Sequence, residues 1–346
     1  MDFEIFQNSN NTKNNLVNNQ KKTAPAAQNM NQTSVFENKP PTVVVFDVYG
    51  DIVMPIDPFD NTPDMSHAKT AESYIKLECP TVNIEKRGKL TPTTETEKQA
   101  AAKRFKELLE KGSEEEKLLF GEPIKKILEN PNTIIDFDMK KELDNLIEST
   151  NNGKKIDAVN LSLSDSVKIK DLAKVTGLPL TAENLAQYKD KIREWIKNSN
   201  LPEIQKQNGI LESLEKITDK GIPINVAGGN DGADSVNLFS FARGTTTVGA
   251  LDPDGKTKTQ YSADNSLVNR WEIGNYPVIK TKNKKGETGY DINGDNKPEI
   301  LELATSGKQK SVFDSGNPQI IKGTSFSTPR AIGKDLRAKF GNVCGQ

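Results

Sequence analysis

The chain has little of what marks the specialised protein classes. Among its 346 residues there are two cysteines, two tryptophans and a single histidine. Cys79 and Cys344 lie far apart and form no CxxC, so neither a zinc knuckle nor a redox dithiol is indicated. The sequence does not show whether they pair, and the simpler reading is two free, partly buried thiols. Charge of one sign is also missing. Lys and Arg total 47 and Asp and Glu 48, so no overall field draws the chain to nucleic acid or to an anionic membrane. Seven of the bases are Arg, a poor match to a dedicated phosphate-reading surface. No apolar run approaches the roughly 20 residues that span a bilayer. Met1-Asp2-Phe3-Glu4 leads into no apolar segment of the secretory-signal type. That leans towards the cytoplasm, although export by another route leaves no such mark.

What is present is a polar but globular balance, 34% apolar and 27% charged. It excludes a collagen-like or wholly disordered chain and suffices for one large core. Fourteen of the first 40 residues are Asn or Gln, and no apolar period survives there. Residues 1–38 therefore read as a disordered arm ahead of a domain at 39–346.

Order begins at Pro40-Pro41. The β-branched run Thr42 to Phe46 is of the buried parallel-strand type. A helix is expected over Ala68–Lys76, a short strand over 81–90, one helix from Glu95 to Phe120, and another near 139–149. Ala158–Leu163 reads as a second buried strand. A helical insertion at about 166–200 follows, with Trp195 and Ile196 as its anchor. Helix 208–219, a strand Ile222–Ala227, a strand near Thr246–Ala250 and a final helix from about Thr328 complete the pattern. Strands alternating with helices argue for an α/β fold, a mostly parallel sheet covered on both faces. The extra segments near 92–131 and 166–205 are helical insertions.

In such sheets the working groups sit at the C-terminal ends of strands. Asp47, Ser162 with Ser164, and Asn230 fall there. His67 stands at a helix start and is the only imidazole available as a neutral-pH base. Ser325 lies in Gly323-Thr324-Ser325-Phe326-Ser327-Thr328-Pro329. Gly323 permits a close backbone approach, and Pro329 suits a first helical turn. A serine there has free backbone N–H groups and a positive dipole end beside it, which suit an oxyanion. An ordinary Ser/Thr helix cap is the competing reading of these seven residues.

These pieces resemble the subtilisin-like serine proteases, the subtilases. GTSFSTP resembles their GTS-x-[AS]-TP signature, and IPINVAGGNDG their strand ending in A-x-G-N-D/E-G. AVNLSLS resembles their substrate-binding strand, VVVFDVYGD the strand that delivers their aspartate, and SHAKTAESYI their H-G-T-x-V-A helix. TTVGALDPDGKTKTQYS is similar to the segment between the asparagine and serine motifs. The order Asp47, His67, Asn230, Ser325 is the subtilisin order. The resemblance covers about 40–340.

It implies a three-layer subtilisin-like fold and a serine endopeptidase working through an acyl-enzyme. Ser325 would attack the peptide carbonyl, His67 would carry its proton, and Asp47 would orient the imidazole. Asn230 would donate its side-chain amide to the oxyanion. An extended peptide would pair with 160–164 as an added strand, with Asn160, Ser162, Leu163, Ser164, Ala227, Gly228 and Gly229 in contact. The implied partner is a peptide or protein substrate, not nucleic acid or membrane, and the chemistry needs no cofactor. The oligomeric state is left open. Several residues depart from the family pattern. Ala68 replaces a glycine, Val48-Tyr49-Gly50 follows the aspartate, Ser164 replaces a glycine at the pocket wall, and only 21 residues follow Ser325. Ala68, Tyr49 and the short stretch after Ser325 motivate the alternative of a catalytically inactive scaffold that binds peptides or a protein partner.

A separate signal is Asp291, Asn293, Asp295, Glu299 and Glu302, oxygen-bearing residues at loop positions that suit Ca²⁺. Asn296 stands where an EF-hand has glycine, so a compact calcium turn is the better form of this expectation. A solvated hairpin is its alternative.

Overall fold

The computed structural model describes residues 39–49, 66–91, 93–129, 138–301 and 319–345. The expected arm at 1–38 lies outside them. Chain order begins with β1 (Thr42–Val48), α1 (His67–Glu78), β2 (Asn83–Lys89), α2 (Glu95–Lys111), α3 (Glu114–Glu129) and α4 (Met139–Asn151). It continues with β3 (Ala158–Leu161), β4 (Ser166–Lys168), α5 (Ile169–Thr176), α6 (Leu185–Asn198), α7 (Pro202–Thr218), β5 (Ile224–Ala227), β6 (Ser235–Asn237) and β7 (Thr245–Leu251). Last come β8 (Val268–Ile273), β9 (Asn275–Lys282), β10 (Thr288–Asp291), β11 (Ile300–Leu301), β12 (Gln319–Lys322) and α8 (Thr324–Cys344).

The main sheet has the order β2-β1-β3-β5-β7-β8, and every neighbouring pair runs parallel. A parallel strand buried on both faces needs apolar residues at every position, which is what TVVVF supplies. Alternate side chains of β1 enter different layers. Val43 and Val45 pack with Ile75 of α1 and with Ile332 and Leu336 of α8. Val44 and Phe46 face the opposite way, into a larger cluster that includes Leu119, Leu143, Leu172, Ile192, Leu211 and Leu214 from α3 to α7. The expected α/β architecture with helices on both faces is therefore present. A second sheet, β11-β10-β9-β12, is antiparallel, and β4 pairs with β6 in a short ribbon.

Three expectations differ. The helix read as continuous from Glu95 to Phe120 is two helices. Gly112 ends α2, and Ser113 opens α3 by a reciprocal cap: Glu116 N–H donates to Ser113 Oγ at 3.1 Å and Ser113 N–H to Glu116 Oε2 at 3.3 Å. The last helix starts at Thr324, so Pro329 lies inside it. The two cysteines are not free thiols: Cys79 and Cys344 form a disulfide, both fully buried. The bond joins the residue that caps α1 to the last residue of α8. Of the insertion anchors, Ile196 is wholly buried and Trp195 packs against the same cluster. Among the described residues, no helix is long and apolar enough to cross a membrane.

Candidate active site

The C-terminal end of the parallel sheet gathers the candidate residues. Asp47 is the sixth residue of β1 and has no solvent exposure. Its Oδ1 accepts the Val48 N–H at 2.7 Å, which fixes the carboxylate plane. Beside it in β2 is Gly88, at φ +106, where any Cβ would stand 2.3 Å from the Asp47 carbonyl oxygen. A side chain at 88 would displace the strand that carries the carboxylate.

His67 opens α1 because Ser66 caps the helix, its Oγ accepting the Lys69 N–H at 3.4 Å. The imidazole Nδ1 lies 2.8 Å from Asp47 Oδ1 and 3.0 Å from Oδ2. An ionised carboxylate only accepts, so Nδ1 carries the hydrogen and Nε2 is the nitrogen of the neutral ring left to accept a proton. Burial pulls the imidazole pKa down, but the Asp47 charge and hydrogen bond together outweigh it. The net result lies above the ordinary 6.5. The other ring face meets Phe326, with centroids 5.1 Å apart. The imidazole thus stands against the residue next to Ser325. Among the described residues no hydrogen bond joins His67 to the Ser325 hydroxyl.

Ser325 is the second residue of α8 and half-buried. Gly323 before it takes φ +152 and donates its N–H to Tyr261 Oη at 2.9 Å. Asn230 stands three residues past the end of β5, after Gly228 and Gly229. Its Oδ1 accepts both the Thr324 N–H and the Thr324 hydroxyl, each at 2.9 Å. With the oxygen fixed, Nδ2 is the end of the amide left to donate. It lies 3.6 Å from where a Cβ on Gly323 would be. Of the first N–H groups of α8, those of Thr324, Phe326 and Ser327 are taken by Asn230 Oδ1 and the Gly323 carbonyl, which leaves the Ser325 N–H and the Asn230 amide as donors at this end of the helix.

The expected substrate strand narrows. Asn160 lies in β3, hydrogen-bonded to β1 on one side and β5 on the other, and is fully buried. No peptide can add to it there. Ser162 is buried and bonded inward, Leu163 is half-buried, and Ser164 is exposed. The accessible run is thus 163–164, just past the strand end. Leu163 and Ser164 line a cavity of about 330 Å³ whose walls include Phe105 and Phe120 from the first insertion and Phe239. Asp165 also lines it; burial pushes its carboxyl up to about 6. Ala227, Gly228 and Gly229 are buried. Gly229, at φ +107, donates its N–H to Thr324 Oγ1 at 3.2 Å and so ties β5 to the start of α8. Ala68 is wholly buried, so its methyl joins the core. The sequence reading missed Gly88, Tyr261 and Thr324. Of these, Thr324 and Tyr261 both lie within quoted motifs and could have been found, whereas Gly88 lies in none.

The acidic loop is a β10–β11 hairpin connection. Ligand oxygens of Asp291, Asp295 and Glu299 all lie within 4.8 Å of one another. Asp291 Oδ1 accepts the N–H groups of Asn293 (3.0 Å) and Gly294 (2.7 Å), and its Oδ2 that of Asn296 (2.7 Å). Asn293 donates its side-chain amide to Glu299 at 3.0 Å. Asn296 adopts the left-handed φ of 63° that glycine supplies in an EF-hand. Burial, with the charges of Asp291 and Asp295, raises the Glu299 carboxyl. Glu302 lies outside the described residues.

No protein-family model and no curated protein matches the chain. Among solved structures it is similar to the patellamide maturation protease PatA, at 12% identity and TM-score 0.42 over 88% of this chain and 81% of that one. The prenylagaramide maturation protease PagA matches at 15% and 0.38, over 87% and 78%. Fervidolysin from Fervidobacterium pennivorans, a keratinolytic enzyme related to subtilisin, matches at 14% and 0.43, over 88% and 37%. These structural neighbours are subtilisin-like proteases.

Proposed function

We propose that the chain is a serine endopeptidase of the subtilisin type. The observation that carries this reading is the convergence of three elements at one sheet end. Buried Asp47 bonded to half-buried His67, a serine at a helix N-terminus and an asparagine amide fixed by Thr324 meet there. Ser325 Oγ attacks the peptide carbonyl while His67 Nε2 takes its proton. The imidazolium that forms is stabilised by Asp47, and the oxyanion accepts from Asn230 Nδ2 and the Ser325 N–H. His67 then protonates the leaving amine, and water, deprotonated by the same imidazole, releases the acyl group. The peptide lies along 163–164 as an added strand.

A fluorophosphonate probe tests the reading without knowledge of the substrate. Labelling of the full-length protein that vanishes in Ser325→Ala, with the fold intact, is the expected result. No labelling of folded protein, with and without Ca²⁺, rejects it. The second reading, a scaffold that binds peptides without cutting them, is favoured by the absence of a His67–Ser325 hydrogen bond among the described residues. Such bonds often close only around substrate. Calcium in the 291–299 loop belongs to the same proposal as a structural ion, held by Asp291, Asp295 and Glu299.

A further inference from the structure

In α8 each backbone N–H would donate to the carbonyl four residues back. Residue 329 would serve Ser325, but Pro329 has no N–H to give. The neighbouring carbonyls are provided for. Gly323 O accepts from the Phe326 N–H at 3.0 Å, and Thr324 O from the hydroxyls of Ser327 (3.0 Å) and Thr328 (2.7 Å). The Ser325 carbonyl is the one that proline orphans. A donor from another element fills the place: Ser162 Oγ donates to Ser325 O at 2.8 Å. The direction is fixed from behind, since Asn160 Nδ2 donates to Ser162 Oγ at 2.8 Å and leaves the hydroxyl hydrogen for the carbonyl. Ser162 is 2% exposed and Asn160 is wholly buried, in a strand flanked by β1 and β5.

We infer that Ser162 is a positioning residue for Ser325, not a substrate contact. Pro329 opens a gap in the helical ladder at the nucleophile, and the Asn160–Ser162 relay docks the nucleophile's backbone onto the centre of the sheet. This rests on the reading of Ser325 as the nucleophile. Displacing a reacting group by about 1 Å costs on the order of a hundredfold in rate, so a docking bond of this kind acts on turnover.

The test compares Ser162→Ala in the wild-type and in a Pro329→Ala background, where residue 329 regains an N–H. In the wild-type background the substitution is expected to lower probe labelling and peptide kcat by about tenfold or more, with KM moving less than about twofold. In the Pro329→Ala background the same substitution is expected to cost less than about threefold, because the new N–H reaches Ser325 O. Equal losses in the two backgrounds, or a loss carried by KM, overturn the inference. Should Ser162→Ala fail to fold, Ser162→Cys, a weaker donor of similar size, replaces it in both backgrounds. A wild-type protein inert to the probe removes the peptidase reading and leaves this one to amide exchange at residue 329. Slow exchange in Ser162→Ala/Pro329→Ala with fast exchange in Pro329→Ala supports the relay, and equal rates overturn it.

Discussion

The two faces of the parallel sheet are built to different ends. Towards α1 and α8 the apolar layer is thin: Val43, Val45, Ile75, Ala158, Ile332 and Leu336 around the buried disulfide. Helix α8 approaches α1 so closely that a Cβ on Gly333 would stand 2.9 Å from the Ile75 carbonyl oxygen. Asp47 follows Val45 on this face with His67 bonded to it, and Ser162 is bonded to the Ser325 carbonyl. The other face is a broad cluster of Leu, Ile and Phe fed by α3 to α7. Hydrophobic stabilisation follows apolar area, so the broad face carries most of it. The thin face holds helices at fixed distances. Position is set where side chains are short and hydrogen-bonded, and stability is gathered where they are large.

Substitutions should separate the two faces. The largest effect is expected on the thin face. Asp47→Asn should lower kcat by about 10⁴-fold while the fold persists. The pH profile adds a sign. His67 must be neutral to act as base, and its pKa is raised, so kcat/KM should climb with pH through a midpoint above 6.5. Removing the Asp47 charge leaves burial alone, and the residual activity should show a lower midpoint. An unmoved midpoint would break the assigned pairing.

On the broad face, Leu211→Ala should cost about 2–5 kcal/mol of stability, as Leu211 is fully buried. Denaturant titration measures this, and turnover per folded molecule should be unchanged. A fall in turnover at constant stability would blur the division. Calcium, away from both faces, should bind by calorimetry and raise the thermal midpoint. A site filled at about 100 times its Kd adds roughly 2.7 kcal/mol. No heat at millimolar metal removes the ion. The smallest effect is expected at Asp165. Its raised carboxyl means that folding weakens as pH rises from the ordinary aspartate value of 3.8 through about 6. Asp165→Asn should therefore stabilise on the order of 1 kcal/mol at pH 8 and little at pH 4. Thermal melts at the two pH values check it.

Much of the thin face was legible because its residues are set by local chemistry. A β-branched run followed by Asp47, a lone histidine after a capping serine, and GTSFSTP each announce themselves within a few residues. The start of α8 was misread because Pro329 was assigned to a first turn, whereas Ser162 makes proline tolerable in the second. The α2–α3 break was readable in Ser113-Glu114-Glu115-Glu116 but was overridden by the apolar period on either side. The disulfide and Gly88 were not legible. Each depends on a partner brought up by the fold, from a sequence separation of 265 residues in the first case and from the neighbouring strand in the second.

The Cys79–Cys344 bond closes the chain into a covalent ring. Every peptide bond between the two cysteines lies inside that ring, including the whole connection from β11 to β12. A single cut anywhere along it opens the ring but frees no piece, so a nicked molecule keeps α1 and α8 on one body. It would run as one species on a gel until reduced and then as two. A chain read as a peptidase thereby tolerates one internal cleavage, by its own kind or another, without shedding the helix that bears Ser325.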